Sequence, residues 1–195
     1  MQGARLSAVD LACRRGERVL FRGLSLDLAA GQALHVTGAN GIGKSSLLRL
    51  LAGLLRPLAG SVATTGSVGL IDERPALDPH LPLGRALGFW AGLDRRGFLA
   101  RESITDRLGL TDLLDVPVRY LSTGQRKRAA MARLLAQDAG VWLLDEPLNG
   151  LDRDGVALLE TLAAGHCAAG GICAIASHQP IMLGGIATLD LAGFA

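Results

Sequence analysis

Apolar residues in this chain gather into short unbroken runs, with stretches of helical spacing between them. Ala33-Leu34-His35-Val36-Thr37 reads as a buried strand, and Leu24-Ser25-Leu26-Asp27-Leu28 alternates as a half-exposed strand does. Val19-Leu20-Phe21, Ser61-Val62-Ala63 and Ser67-Val68-Gly69-Leu70-Ile71 are further short strands. From Ser46 to Leu55 the spacing turns helical. Leu47, Leu48, Leu50, Leu51, Leu54 and Leu55 make this helix apolar all round, which predicts burial rather than a surface position. Gly53 and Pro57 end it. From about 82 to 137 the texture is helical and charged, with Arg85, Arg95, Arg96, Arg101, Glu102, Asp106, Arg107 and the run Arg126-Lys127-Arg128. Strand texture returns at Val141-Trp142-Leu143-Leu144 and at Ile172-Cys173-Ala174-Ile175-Ala176, and a helix over about 153–169 joins the two. Such a β-α-β unit favours a parallel sheet. The predicted class is therefore α/β, with a helical lobe over about 82–137 inserted into a core lobe of about 1–81 and 138–195.

Composition narrows the picture without changing it. At 195 residues the chain suits one domain, and 49% hydrophobic residues suffice for a sizeable core. A net charge of +2 is too small to argue for nucleic acid as partner. No run of about 18 uncharged apolar residues marks a membrane span. The start of the chain, Met1 to Val9, carries Arg5 and lacks an apolar stretch of signal-peptide length. Cys13, Cys167 and Cys173 lack metal-ligand spacing and read as small buried hydrophobes in a reducing cytosol.

The chemistry is concentrated in three places. Gly38-Ala39-Asn40-Gly41-Ile42-Gly43-Lys44-Ser45 fits the loop that wraps nucleotide phosphates with backbone N–H groups, and it lies between a strand and a buried helix as that loop requires. The chain has only two lysines, Lys44 and Lys127, against eighteen arginines, and Lys44 falls where an ammonium must reach the β- and γ-phosphates. Val141-Trp142-Leu143-Leu144 then ends in Asp145-Glu146. A buried strand delivers Asp145 beside the phosphate loop, where it can hold Mg²⁺ directly or through water. Glu146 is placed to act as general base or to orient water. Alone, four apolar residues and an aspartate are common; the phosphate loop gives them meaning. Third, Leu121-Ser122-Thr123-Gly124-Gln125 precedes a helix, with Ser122 a good N-cap and the helix N-terminus a natural anion site.

The order G-x-N-G-x-G-K-S, L-S-x-G-Q, four apolar residues with D-E-P, G-L-D and a late histidine resembles the ATP-binding subunits of ABC transporters over nearly the whole chain. The resemblance implies a phosphate-loop NTPase core of mainly parallel sheet with flanking helices, an N-terminal antiparallel β part and an inserted helical signature subdomain. It implies ATP and Mg²⁺ as cofactors. Gly38, Ala39, Asn40, Gly41, Ile42, Gly43, Lys44, Ser45 and Ser46 would form the phosphate loop, with Lys44 on the phosphates and Ser45 as a Mg²⁺ ligand. Ser122, Gly124 and Gln125 belong to the signature loop, which meets the γ-phosphate bound by the opposite subunit of a dimer. Asp145 serves Mg²⁺ and Glu146 is the catalytic base. Asn149-Gly150-Leu151-Asp152 matches the loop that crosses the dimer interface, and His178 the γ-phosphate-sensing histidine. Two composite sites per homodimer follow, their stroke passing to integral-membrane subunits that dock near Arg85, Arg95 and the groove beside Glu73 to Leu83. Two positions depart from the pattern. Glu73 stands where a Gln is expected to touch Mg²⁺ and the attacking water; a carboxylate can ligate Mg²⁺ but adds negative charge, which implies slower turnover. Arg14 or Arg15 falls where an aromatic stacks on adenine, and a guanidinium can stack there instead.

Within that family the chain is most similar to the ATPase subunit of the haem exporter of bacterial cytochrome c maturation. Leu20-Phe21-x-Gly23-Leu24-Ser25, the leucine-rich stretch from Leu47 to Pro57 with Gly60 behind it, and His178-Gln179-Pro180 carry this likeness. It implies a peripheral position at the cytoplasmic face of the inner membrane, with two integral partners. ATP hydrolysis would free haem-loaded chaperone, so haem is met only indirectly; His35, His80 and His166 read as structural or surface residues. Three alternatives stay open: a transporter ATPase for another cargo, a soluble ABC ATPase acting on ribosomes or DNA, and a nucleotide-binding regulator with negligible turnover. Soluble relatives usually carry two nucleotide domains or a long coiled-coil insertion, and neither is seen. Arg126-Lys127-Arg128 reads as a solvated helix face rather than a nucleic-acid contact.

Overall fold

The computed structural model describes residues 3–93 and 104–195, so Arg95, Arg96, Arg101 and Glu102 lie outside the described residues. Two sheets organise the described residues. In the first, β1 (Arg5–Arg15) pairs antiparallel with β2 (Arg18–Ala29) on one side and β4 (Ala59–Thr65) on the other. The second is parallel, in the order β5 (Val68–Ile71), β6 (Val141–Asp145), β7 (Ile172–Ala176), β3 (Ala33–Thr37) and β8 (Ala187–Asp190). The helices are α1 (Lys44–Leu51), α2 (Leu83–Leu93), α3 (Thr123–Gln137) and α4 (Arg153–Ala168), with further helical residues at 104–107. None of the helices among the described residues is long and apolar enough to cross a membrane.

Every residue of β6 and β7 is buried. Both read as unbroken apolar runs because a central parallel strand is covered on two faces. Side chains alternate across it. Trp142, Leu144, Cys173 and Ile175 pack with the leucines and alanines of α2, α3 and α4. Val141, Leu143, Ala174 and Ala176 pack with α1 and the antiparallel sheet. Leu47, Leu48, Leu50 and Leu51 therefore meet apolar atoms all around, since α1 lies between the two sheets.

The sequence expectations need correction at several points. α1 ends at Leu51, where Ala52 N–H bonds Leu48 O; the chain turns at Gly53, leaving Leu54 64% and Leu55 37% exposed. The two short strands read at Val19 and Leu24 are one strand, β2, whose pairing with β1 passes through register shifts. Those same shifts broke the alternation of β1, which the sequence pattern did not reveal. β8 was also not foreseen, being four residues long and largely exposed. Cys13 and Cys173 are buried, but Cys167 is only partly so. Finally, Arg126-Lys127-Arg128 is not a solvated face: Lys127 is buried, Arg126 donates to Leu121 O and Arg128 pairs with Asp152.

Leu48→Ala deletes packing from a helix with no free side. It is expected to cost about 2–5 kcal/mol and lower the melting temperature by about 5–15 °C in thermal denaturation.

Candidate nucleotide site

The carboxyl ends of β3, β6 and β7 converge on one pocket. β3 runs into the loop 38–43, and α1 starts at once with Lys44, so the unpaired N–H groups of its first turn open toward that loop. Gly43 takes φ +124, and a Cβ there would press on the ring of Phe21 at 3.2 Å. Lys44 is only 6% exposed; its Nζ donates to Gly38 O at 2.8 Å and Ala39 O at 3.4 Å, and lies 3.8 Å from Glu146 Oε1. The cavity, of about 370 Å³, is lined by Asn40, Gly41, Gly43, Lys44, Ser45 and Ser46 from the loop and helix, with Arg15, Leu20, Glu73, Glu146, Asn149 and His178 around them.

Asp145 closes β6 and is 2% exposed, with Oδ1 buried and without a hydrogen-bond partner among the described residues. Burial pushes its carboxyl above the usual range, and a hydrogen bond to Ser45 opposes this. A buried carboxylate oxygen lacking a donor, beside a hydroxyl, is a donor set that suits a hard cation. The next residue, Glu146, takes φ +44 while its N–H bonds Ala176 O at 2.8 Å. That turn lifts its side chain off the sheet, where Oε2 accepts from His178 Nδ1 at 2.9 Å.

Ser122 and Gln125 form a reciprocal cap on α3. Ser122 Oγ accepts from Gln125 N–H at 3.2 Å, and Gln125 Oε1 accepts from Ser122 N–H at 2.8 Å. Beside them Gly124 meets Gly150 backbone to backbone: a Cβ on Gly124 would lie 2.8 Å from Gly150 O, and one on Gly150 would lie 2.6 Å from Thr123 Cγ2. Asp152 caps α4 by accepting from Gly155 N–H at 2.8 Å and pairs with Arg128 at 3.0 Å. The loops carrying Ser122 and Asp152 are thus one packed unit. Ser122, Gly124, Gln125 and Asp152 stand outside the 370 Å³ pocket of their own chain.

Of the two adenine-side candidates, Arg15 lines the pocket and Arg14 does not. Glu73 does line it. Two charged groups of this region were missed as site elements. Arg49 grips both oxygens of Asp72 at 2.8 Å, and Lys127 is buried with its Nζ 3.5 Å from Asp145 O. The scarcity of lysine was the available signal for the second, since both lysines of the chain come to this region.

A phosphate loop, an Asp-Glu pair at a strand end and a serine-capped signature helix on one mainly parallel sheet define a nucleotide-binding subunit of the ABC transporter type. Residues 21–149 match the family model described as ABC transporter. The chain is 58% identical over all of its length, and 99% of the relative's, to the cytochrome c biogenesis ATP-binding export protein CcmA of Novosphingobium aromaticivorans. It is 51% identical to the protein of that name from Zymomonas mobilis, covering 98% of this chain and 86% of the relative, and 44% identical to the one from Rhodospirillum rubrum, covering 95% and 85%. Among solved structures it is similar to an ABC transporter in an inward-facing conformation, with a TM-score of 0.81, 28% identity, and 97% of this chain and 79% of that one covered. The chain belongs to the ABC transporter family, in its branch of cytochrome c biogenesis ATP-binding export proteins.

Stacking of a guanidinium on adenine predicts that Arg15→Ala weakens ATP binding about 3- to 10-fold while Arg14→Ala changes it less than about twofold, measured by fluorescent-nucleotide titration. Equal and negligible effects of both would remove the stacking role.

Proposed function

We propose that this chain is the ATP-hydrolysing subunit of an ABC complex of cytochrome c biogenesis, with release of haem or haem-loaded chaperone as the step it drives. One observation carries the reading. Glu146 faces the phosphate loop with one oxygen 3.8 Å from Lys44 Nζ and the other bonded to His178. Lys44 and the loop N–H groups hold the β- and γ-phosphates. Glu146 orients the attacking water and accepts its proton, and His178 fixes the angle of the carboxylate. Asp145 and Ser45 would hold Mg²⁺, which when bound neutralises charge on the β- and γ-oxygens.

A homodimer supports the rest of the site. Ser122, Gly124, Gln125 and Asp152 sit apart from their own pocket on two loops packed together, which suits contact with nucleotide held by a second copy. A groove of about 500 Å³ runs beside Glu73, Arg74, Pro75 and Leu77 and under Val118, Arg119 and Arg126, and we place an integral-membrane subunit there. The chain then works peripherally at the cytoplasmic side of the bacterial inner membrane. Haem is handled by partners in this reading. His35 bonds Ser177 O at 3.1 Å, His80 meets Arg119 at 3.2 Å, and His166 stacks on Trp142 at 4.0 Å while bonding Ile172 O at 3.2 Å.

Glu146→Gln is expected to lower the hydrolysis rate at least about 100-fold while nucleotide binding survives. Retained hydrolysis would remove Glu146 from the chemistry. In cells carrying Lys44→Ala, a haem stain of c-type cytochromes is expected to show haem attachment lost with apocytochrome still present. Normal cytochromes would leave the ATPase and redirect the search to another cargo.

A further inference from the structure

Two side-chain bonds join the loop after β6 to the segment after β7. One runs from His178 Nδ1 to Glu146 Oε2. The other is amide to amide: Gln179 Nε2 donates to Asn149 Oδ1 at 3.2 Å. Gln179 is anchored from behind. Its N–H donates to Ser177 Oγ at 2.9 Å, and Ser177 is fully buried, with its N–H on Val36 O and its carbonyl accepting from His35 Nε2. Pro180 follows directly, which biases Gln179 toward extended backbone. Asn149 stands on the other side of the bond and lines the nucleotide pocket together with Glu146 and His178, whereas Gln179 does not line it. Its own N–H meets Glu146 O at 3.4 Å.

A carboxamide carries an acceptor oxygen and an NH₂ donor on opposite prongs of one planar fork. With Oδ1 taken by Gln179, Asn149 has Nδ2 left to offer, and Nδ2 makes no hydrogen bond among the described residues. That is the polarity an anion needs. We propose that Gln179 sets it, holding the Asn149 amide so that Nδ2 donates to an oxygen of the γ-phosphate in the same chain's pocket. Asn149 is then a nucleotide-binding residue, and Gln179 is a positioning residue. The inference rests on the reading of the pocket as a Mg²⁺-nucleotide seat with Glu146 and His178 at its γ-phosphate end.

Gln179→Glu turns the amide round. A carboxylate only accepts, so Asn149 must give it Nδ2 and present Oδ1 to the phosphate. The parent, Gln179→Glu, Asn149→Ala and the double variant are titrated by calorimetry with Mg²⁺-bound ADP and with a Mg²⁺-bound, non-hydrolysable ATP analogue. Gln179→Glu is expected to weaken the analogue about tenfold, the size of a lost bond to a charged group, while ADP stays within about threefold. In the Asn149→Ala background the same change should cost less than about threefold, because the added charge remains but the amide does not. Equal weakening of ADP and analogue would mark a structural role and overturn the proposal. An undiminished loss in the Asn149→Ala background, or no loss at all, overturns it too. If the parent binds neither nucleotide, it is the nucleotide reading that falls. Should Gln179→Glu not fold, Gln179→Met, similar in length and without an amide, takes its place. The analogue should then weaken at least about threefold with ADP within about twofold, and the absence of that selective loss overturns the proposal.

Discussion

Helix α1 has almost no surface of its own. Leu47 and Leu48 are fully buried and Leu50 and Leu51 nearly so, because one side of the helix meets the parallel sheet and the other the antiparallel one. Its first residue is Lys44, so the loop before it is fixed at both ends: by β3 hydrogen-bonded between β7 and β8, and by a helix that cannot shift without opening two apolar layers. Interiors packed at crystal density transmit displacement rather than absorb it. The positions of the loop N–H groups and of the Lys44 ammonium are therefore set by hydrophobic packing several residues away, and the polar chemistry inherits its precision from that packing.

The same burial creates an electrostatic problem. Asp72, Glu73, Asp145 and Glu146 cluster at the ends of β5 and β6, and Asp145 is held where water does not reach it. Burial disfavours its ionised form, so the raised carboxyl makes the chain without cation less stable as pH climbs through the carboxylate range. Cations answer this in a graded way. Arg49 neutralises Asp72 with a bidentate pair, Lys127 lies behind Asp145, and Lys44 reaches toward Glu146. Asp145 Oδ1 is left without a hydrogen-bond partner among the described residues, and a cation bound there would offset its charge.

The phosphate loop, β3, β6, β7 and the joining helix were legible because each rests on a local rule: glycine spacing, an uninterrupted apolar run, or a helical period between two strands. Ser122 was legible as a cap for the same reason. What escaped depends on tertiary context. β1 is broken by register shifts that only its two neighbours explain, and β8 carries too little apolar surface to announce itself. Leu54 and Leu55 continue the helical period of α1 in sequence but lie past its end in space, since a hydrophobic pattern does not reveal where the covering sheets stop. Lys127 looked like part of a basic surface, because charge in a sequence says nothing of which side a helix turns inward. Arg14 and Arg15 were indistinguishable until the fold brought Arg15, and not Arg14, to the pocket.

The contact between Gly124 and Gly150 links these two levels. Neither position accepts a Cβ without moving backbone or Thr123, so the signature loop and the loop after Glu146 are closely packed. The second loop starts at Asn149, which lines the nucleotide pocket and accepts from Gln179 Nε2 at 3.2 Å, next to His178. It ends at Asp152, tied to Arg128 on the signature helix. Backbone contact and an ion pair thus join the loop that begins at Asn149 to the helix that Ser122 caps. In the proposed dimer the loop that faces a chain's own pocket and the loop that faces its partner's pocket would be packed against each other.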